Sequence, residues 1–233
     1  MKRALVTGGT RAIGAAIAEA LLEAGHEVIV TGTSADGKAP KGCAYIPSDF
    51  TDMAAVHALG RQIAGLELSV LVNNAGTRNV AYVEEFDPDG FLELQQVNVT
   101  APFFLCRAVI PGMRERGFGR IVNLTSVFSV VSKPGRSAYS MSKLGLVGMT
   151  RTLALEVAAD NVLVNCLGPG FVETEATKLI LGEAGLAEMV AQVPLGRLAQ
   201  PEEIARYVVF LASEANTYMT GQNMIVDGGF TCA

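Results

Sequence analysis

The sequence predicts an α/β protein whose mostly parallel sheet is doubly wound, with helices on both faces. Three observations carry that prediction. Short β-branched runs alternate with longer helical patterns along most of the 233 residues, and such alternation calls for crossover connections between parallel strands. A glycine-rich turn, Thr7 to Gly14, joins the first strand-like run to the first helix-like one. No Pro/Ser-rich linker, charge block or fixed-period repeat breaks the pattern, so residues 1–233 are expected to form one domain.

Taken in order, RALVT reads as the first strand and IGAAIAEALLEAG as the first helix, followed by strands at EVIVTG and CAYIPSD. The connection from Thr33 to Cys43 contains Gly37, Pro40 and Gly42. A crossover with its helix takes at least about 10 to 12 residues, so the helix between strands two and three is expected to be reduced or absent. A helix from Met53 leads to LSVLVNNAG, a long helix from Phe91 leads to RIVNLTS, and a helix through Val157 leads to NVLVNCLGPG. Right-handed crossovers wind these elements onto both faces.

Half of the residues are hydrophobic, yet no apolar run reaches the roughly 18 residues of a membrane span. A soluble protein away from membranes is expected. Met1 is followed almost at once by ALVTGG, which leaves no room for a targeting segment and predicts a cytoplasmic location. Cys43, Cys106, Cys166 and Cys232 are scattered and read as reduced packing residues. His26 and His57 have no partner at ligand spacing, so no metal site is expected. A net charge of −5 argues against a nucleic-acid groove. The one basic cluster, Arg114 to Arg120, reads as a solvated helix end.

The chemistry lies elsewhere. Tyr139 and Lys143 are four residues apart in SAYSMSK, so on a helix they share a face. A fixed cation beside a phenol favours the phenolate and draws its pKa toward neutrality, which makes Tyr139 a candidate general acid/base. Packing plus a solvated charge is the plainer reading of that spacing taken alone. Ser126 closes the strand-like IVNLTS and can hold a substrate oxygen. The glycines of Thr7 to Gly14 let the backbone approach a pyrophosphate at a helix amino terminus.

Together, TGGTRAIG, NNAG at Asn73 to Gly76, Asn98 in VNVT, Ser126, Tyr139-x-x-x-Lys143 and Gly168-Pro169-Gly170 resemble the short-chain dehydrogenases/reductases over essentially the whole chain. The likeness is to compact single-domain members such as 3-oxoacyl-(acyl-carrier-protein) reductases. It implies a seven-stranded Rossmann sheet and a nicotinamide cofactor. It also implies a catalytic set of Asn98, Ser126, Tyr139 and Lys143: Tyr139 carries the proton, Lys143 lowers its pKa and binds the nicotinamide ribose, and Ser126 steadies the substrate oxygen.

Implied cofactor contacts are Gly8, Thr10, Arg11, Ile13 and Gly14 at the turn, with Thr33, Asp49 and Phe50 at the adenosine end. Asn73, Ala75 and Gly76 follow, then Tyr139 and Lys143, then Pro169, Gly170, Val172 and Thr174. Ala12 departs from the family pattern, standing where its middle glycine sits. Asp49 resembles the adenine contact, although it also reads as a helix cap; Asp52 is the better capping candidate.

The resemblance puts an acidic residue after the second strand of NAD-binding members. Thr31-Gly32-Thr33-Ser34 offers none, and Arg11 suits a 2′-phosphate, so NADP(H) is expected over NAD(H). Arg11 also reads as an exposed turn charge. Pro102 cannot donate to the carbonyl of Asn98 four residues earlier, which leaves an oxygen for the water that the family's asparagine holds, or simply kinks the helix.

Residues 173–193 occupy the place of the family's substrate lid, with a Gly182/Gly185 break. The expected substrate is a small carbonyl/alcohol pair. The alternative is 3-oxoacyl-(acyl-carrier-protein) reduction, against which Gly117 and Asp160 stand where basic docking residues are implied. A non-catalytic nucleotide sensor is the remoter alternative. A homotetramer is also implied, with Phe103, Phe104, Met113, Met141, Leu146 and Met149 divided in some way between interface and core.

Overall fold

The structure, a computed structural model, describes residues 2–232. Seven parallel strands form one sheet in the order β3-β2-β1-β4-β5-β6-β7. They are β1 (Arg3–Val6), β2 (Glu27–Gly32), β3 (Ala44–Pro47), β4 (Leu68–Asn73), β5 (Gly119–Leu124), β6 (Val162–Pro169) and β7 (Asn223–Val226). Strands β5 and β6 are buried along their whole length, as central parallel strands covered on both faces must be. The register Val70↔Arg120, Val72↔Val122 and Val122↔Asn165 aligns the carboxyl ends of β4, β5 and β6 on one edge.

One face is covered by α1 (Ala12–Glu23) and α7 (Pro201–Ala212), whose Ile17, Leu21, Ile204 and Val208 pack on Val6, Val30 and Val72. The other is covered by α2 (Met53–Ala64), α4 (Ala101–Glu115) and α5 (Ser137–Val157), with Leu59, Leu105, Val109 and Ala154 against Leu5, Leu71 and Val164. No helix lies between β2 and β3, as the short connection predicts. Asp52 caps α2 by accepting from Ala54 N at 2.8 Å, matching its expected role.

Two expectations need correction here. The long helix begins at Pro88 rather than Phe91, as α3 (Pro88–Gln95), and passes through a π turn at Gln96–Thr100 before α4. The Arg114 to Arg120 cluster is a solvated helix end only in part: Arg114 and Arg116 are exposed at the end of α4, whereas Arg120 is not. Arg120 lies on β5, 3% exposed, and donates to the carbonyls of Gly119, Asn161, Ser213 and Asn216 at 2.8 to 3.2 Å; a guanidinium with five fixed donors is tolerated inside because those carbonyls satisfy it.

The six apolar residues of α4 and α5 now divide. Met113 and Leu146 are core, Phe104 and Met149 pack at its margin, and Phe103 and Met141 are exposed. In α6 (Glu175–Val190) the expected Gly182/Gly185 break falls at Gly182, whose φ of 60° and ψ of −175° are non-helical, while Gly185 stays within the helix. No described helix is long and apolar enough to cross a membrane.

Candidate active site

The strand order reverses between β1 and β4, and loops leaving two adjacent strands in opposite directions open a crevice at such a point. The turn after β1 forms one wall. Gly9 N donates to Thr31 O at 3.0 Å and Gly8 N to Thr31 Oγ1 at 3.2 Å. Asn74 Nδ2 donates to the carbonyls of Thr7 at 2.9 Å and Gly8 at 3.1 Å, and the Thr7 hydroxyl accepts from Asn74 N and Ala75 N, both at 3.0 Å. Gly14 is packed so tightly that a Cβ there would lie 2.2 Å from Gly8 O. Close backbone approach without side chains is what a pyrophosphate requires, so the turn fits a dinucleotide. Ala12 has a φ of +49°, a left-handed conformation that costs an L-residue roughly 1–2 kcal/mol.

The crevice divides into two adjoining cavities. The first, of about 680 Å³, is lined by Gly8, Thr10, Arg11, Ile13 and Gly14, by Thr33, Asp49 and Phe50, and by Ala75 and Gly76. Ser34 and Lys38 also face it, while Asp36 does not; its carboxylate accepts from Ser34 Oγ instead. The Asp49 carboxylate accepts from Thr51 N and Thr51 Oγ1, both at 2.9 Å.

The second cavity, of about 420 Å³, shares Arg11, Ile13, Asn74, Gly76 and Thr77 with the first. It brings together Ser126, Tyr139 and Lys143 with Pro169, Gly170, Val172 and Thr174. Ser126 follows β5, its hydroxyl accepting from Phe128 N at 3.2 Å. Its carbonyl accepts from Ser129 Oγ at 2.6 Å, and Asn223 of β7 holds both Ser129 Oγ and Thr125 Oγ1, at 3.0 and 2.9 Å. Tyr139 sits in the first turn of α5, packed edge to face on Phe128 with centroids 6.3 Å apart.

Lys143 is 5% exposed, and its Nζ donates to Leu124 O at 2.8 Å. Burial lowers its pKa to about 8. Lys143, expected to depress the phenol, does not outweigh its burial here. Burial raises the Tyr139 pKa, opposed by the Ser126 hydrogen bond and the charges of Arg78 and Arg136; the phenol has lost its water while the ammonium, 5.6 Å from the ring centroid, is turned to a carbonyl.

Asn98 and Asn73 do not line either cavity. Asn98 is fully buried and brackets Thr77, accepting from its N–H at 2.8 Å and donating to its carbonyl at 2.9 Å, and it also donates to Ser142 Oγ at 3.0 Å. A Cβ on Gly76 would sit 3.2 Å from Asn98 Oδ1 and 3.4 Å from Lys143 Nζ, so Asn98 lies directly behind the cavity wall. Pro102, expected inside a regular helix, instead follows the π turn, where Ala101 N reaches back to Gln96 O. The turn takes up the register step that the missing donor creates. Asn73 points into the core, donating to Asn123 Oδ1 at 2.8 Å; it ends a central strand whose next residue, Asn74, turns toward the cleft.

Sequence reading missed Thr7, Thr31, Asn74 and Asn223 as braces of the site. Only Asn74 carried a signal, beside the asparagine chosen in its place. Arg78 and Arg136, which also line the second cavity, were missed as well. No cluster of three or more metal-ligating side chains occurs among the described residues.

A family model described as enoyl-(acyl carrier protein) reductase matches residues 8–231. The chain is 39% identical to a 3-oxoacyl-(acyl-carrier-protein) reductase of Vibrio cholerae, over 98% of this chain and 96% of the relative. It is also 39% identical to an acetoacetyl-CoA reductase of Shinella zoogloeoides, over 97% of each. A crystal structure from Beutenbergia cavernae, provisionally assigned as an NAD(P) dependent gluconate 5-dehydrogenase with NADP bound at low occupancy, superposes with a TM-score of 0.92 at 34% identity, covering 100% of this chain and 97% of the other. With matches of this extent across a parallel seven-stranded sheet, the chain belongs to the short-chain dehydrogenase/reductase family.

Proposed function

We propose that this protein is an NADP(H)-dependent oxidoreductase that moves a hydride between the nicotinamide and a small carbonyl/alcohol substrate, with Tyr139 as general acid/base. The observation that carries this reading is the convergence of Ser126, Tyr139 and Lys143 on a cavity continuous with the glycine-turn cleft. When bound, the cofactor supplies or accepts the hydride. The protein's own residues do the rest. Ser126 donates to the substrate oxygen, and Tyr139 gives that oxygen a proton in reduction or takes it in oxidation. Lys143, charged below about pH 8, holds the ribose and favours the phenolate when it forms. Asn98, four residues before donor-less Pro102, offers its main-chain carbonyl to the water that reloads the proton, and Thr174, on the second cavity, holds the carboxamide. Residues 173–193, exposed at Leu179 and Ile180 and hinged at Gly182, close over the substrate as a lid.

NADP(H) over NAD(H) is favoured by Arg11, Ser34 and Lys38 on the first cavity, with no carboxylate at Thr31 to Ser34. Reduction of one ketone with NADPH and NADH tests the reading: a KM at least about tenfold lower for NADPH, erased in Arg11→Ala, is expected from a charge-assisted contact. A preference for NADH would overturn the cofactor assignment.

Names of relatives favour 3-oxoacyl-(acyl-carrier-protein) reduction as a second reading. The surface expected to dock the carrier speaks against it. Arg114 pairs with Asp160 at 3.1 Å, Arg116 donates to Leu68 O at 2.6 Å, and Arg120 is buried, so each of the three is already engaged within the protein. Exposed Phe103, Met141, Leu144 and Leu155 on α4 and α5 support a homotetramer, which light scattering checks.

A further inference from the structure

We propose that the second cavity takes a ketone bearing a carboxylate, whose anionic group is gripped by Arg78 and Arg136 while its carbonyl faces Ser126 and Tyr139. The inference rests on the oxidoreductase reading above and names its substrate class. The wall of this cavity carries Arg11, Arg78, Arg136 and Lys143 and no Asp or Glu, in a chain whose net charge is −5. Arg11 belongs to the shared cofactor cleft and Lys143 to the catalytic set. Arg78 and Arg136 have no such employment, and among the described residues neither forms an ion pair.

Fixed neighbours place the Arg136 guanidinium and the backbone that leads into Arg78. Arg136 is the residue that leads into α5, three before Tyr139, and lies over the Phe128 ring at 5.4 Å from its centroid, an arrangement that suits a guanidinium. Arg78 follows Thr77, whose N–H and carbonyl are both held by Asn98. The two cations are close enough that Arg78 lowers the pKa of Arg136, and both act on Tyr139. Like charges gathered at a cavity wall without a counter-ion repel each other, and a bound anion relieves that repulsion. Forked donors match a carboxylate bidentately, and their reach to Tyr139 sets the ketone a few bonds from the anion.

The test compares kcat/KM with NADPH for pyruvate, acetoacetate and levulinate, each against its primary amide. Hydrogen bonds to a charged group contribute about 1.5–3 kcal/mol, so at least one acid is expected to exceed its amide by roughly ten- to a hundredfold. The ratio falls toward one in Arg136→Gln and in Arg78→Gln, and Arg136→Lys restores part of it; a ratio within each variant is immune to general damage. Calorimetric titration of lactate, 3-hydroxybutyrate and 4-hydroxyvalerate and their amides into the NADPH-saturated protein gives a readout without turnover.

Equal or undetectable binding of acids and amides overturns the proposal. Tyr139-dependent reduction of amides and acids alike does so too while leaving the oxidoreductase reading intact; selective acid binding without reduction of any ketone does the reverse. Acetoacetyl-CoA outrunning both acetoacetate and the neutral N-acetylcysteamine thioester, in an arginine-dependent way, would assign the anion to a carrier phosphate and overturn the carboxylate.

Discussion

The two halves of the cleft are shaped by opposite means. At the glycine turn, the walls are backbone and the absence of side chains: Gly14 lies against Gly8 O, and Asn74 pins the carbonyls of Thr7 and Gly8. At the catalytic end, buried polar side chains on the wall or behind it are each held by a named partner: Lys143 on the wall by Leu124 O, and behind it Asn98 by Thr77 and Ser142 and Ser129 by Asn223. The first half fails when an atom is added. The second fails when a proton or a hydrogen bond is removed.

That contrast is tested first by adding one methyl at the glycine turn and, as a control, one on α5 outside the cleft. Gly14→Ala puts a Cβ 2.2 Å from Gly8 O; overpacking costs about 1–3 kcal/mol, which at about 1.4 kcal/mol per decade weakens NADPH binding roughly ten- to a hundredfold in a fluorescence titration. The same change at Gly148 of α5 meets nothing within 4 Å. Gly148→Ala should stabilise the helix by up to about 1 kcal/mol, read in denaturant unfolding, with NADPH affinity unchanged.

A smaller effect probes charge in the catalytic half. Burial lowers the Lys143 pKa to about 8, so the ammonium is present below that pH and lost as pH rises through it. Reductive kcat/KM should fall above about pH 8, and Lys143→Arg should move that limb upward, since a guanidinium stays charged. The smallest effect is Ala12→Gly. It removes left-handed strain of about 1–2 kcal/mol and adds unfolded-state entropy of about 0.4–1 kcal/mol, so stability changes by about 1 kcal/mol or less while NADPH affinity rises a few-fold.

The same contrast explains what could be read from the sequence. The glycines, the strand–helix alternation and the short Thr33 to Cys43 connection are local signals, and the turn, the parallel sheet and the missing β2–β3 helix followed from them. What was misread depends on contacts distant along the chain. Asn73 and Asn74 are indistinguishable in a string, and only strand alternation in the folded sheet sends one to Asn123 and the other to the glycine turn. Arg120 looked like a surface charge because its four carbonyl partners come from three separate segments. The electrostatics of Tyr139 were only half legible for a related reason: helical spacing gives the distance to Lys143 but not the desolvation of the phenol, nor the arrival of Arg78 from another loop.

The account turns on Tyr139 carrying the proton, and Tyr139→Phe tests that most directly because the ring and its packing on Phe128 are kept. Steady-state NADPH oxidation with an active ketone is predicted to lose about 10²- to 10⁴-fold in kcat, while NADPH affinity stays within about twofold. Activity that survives the substitution on every active substrate would contradict the mechanism.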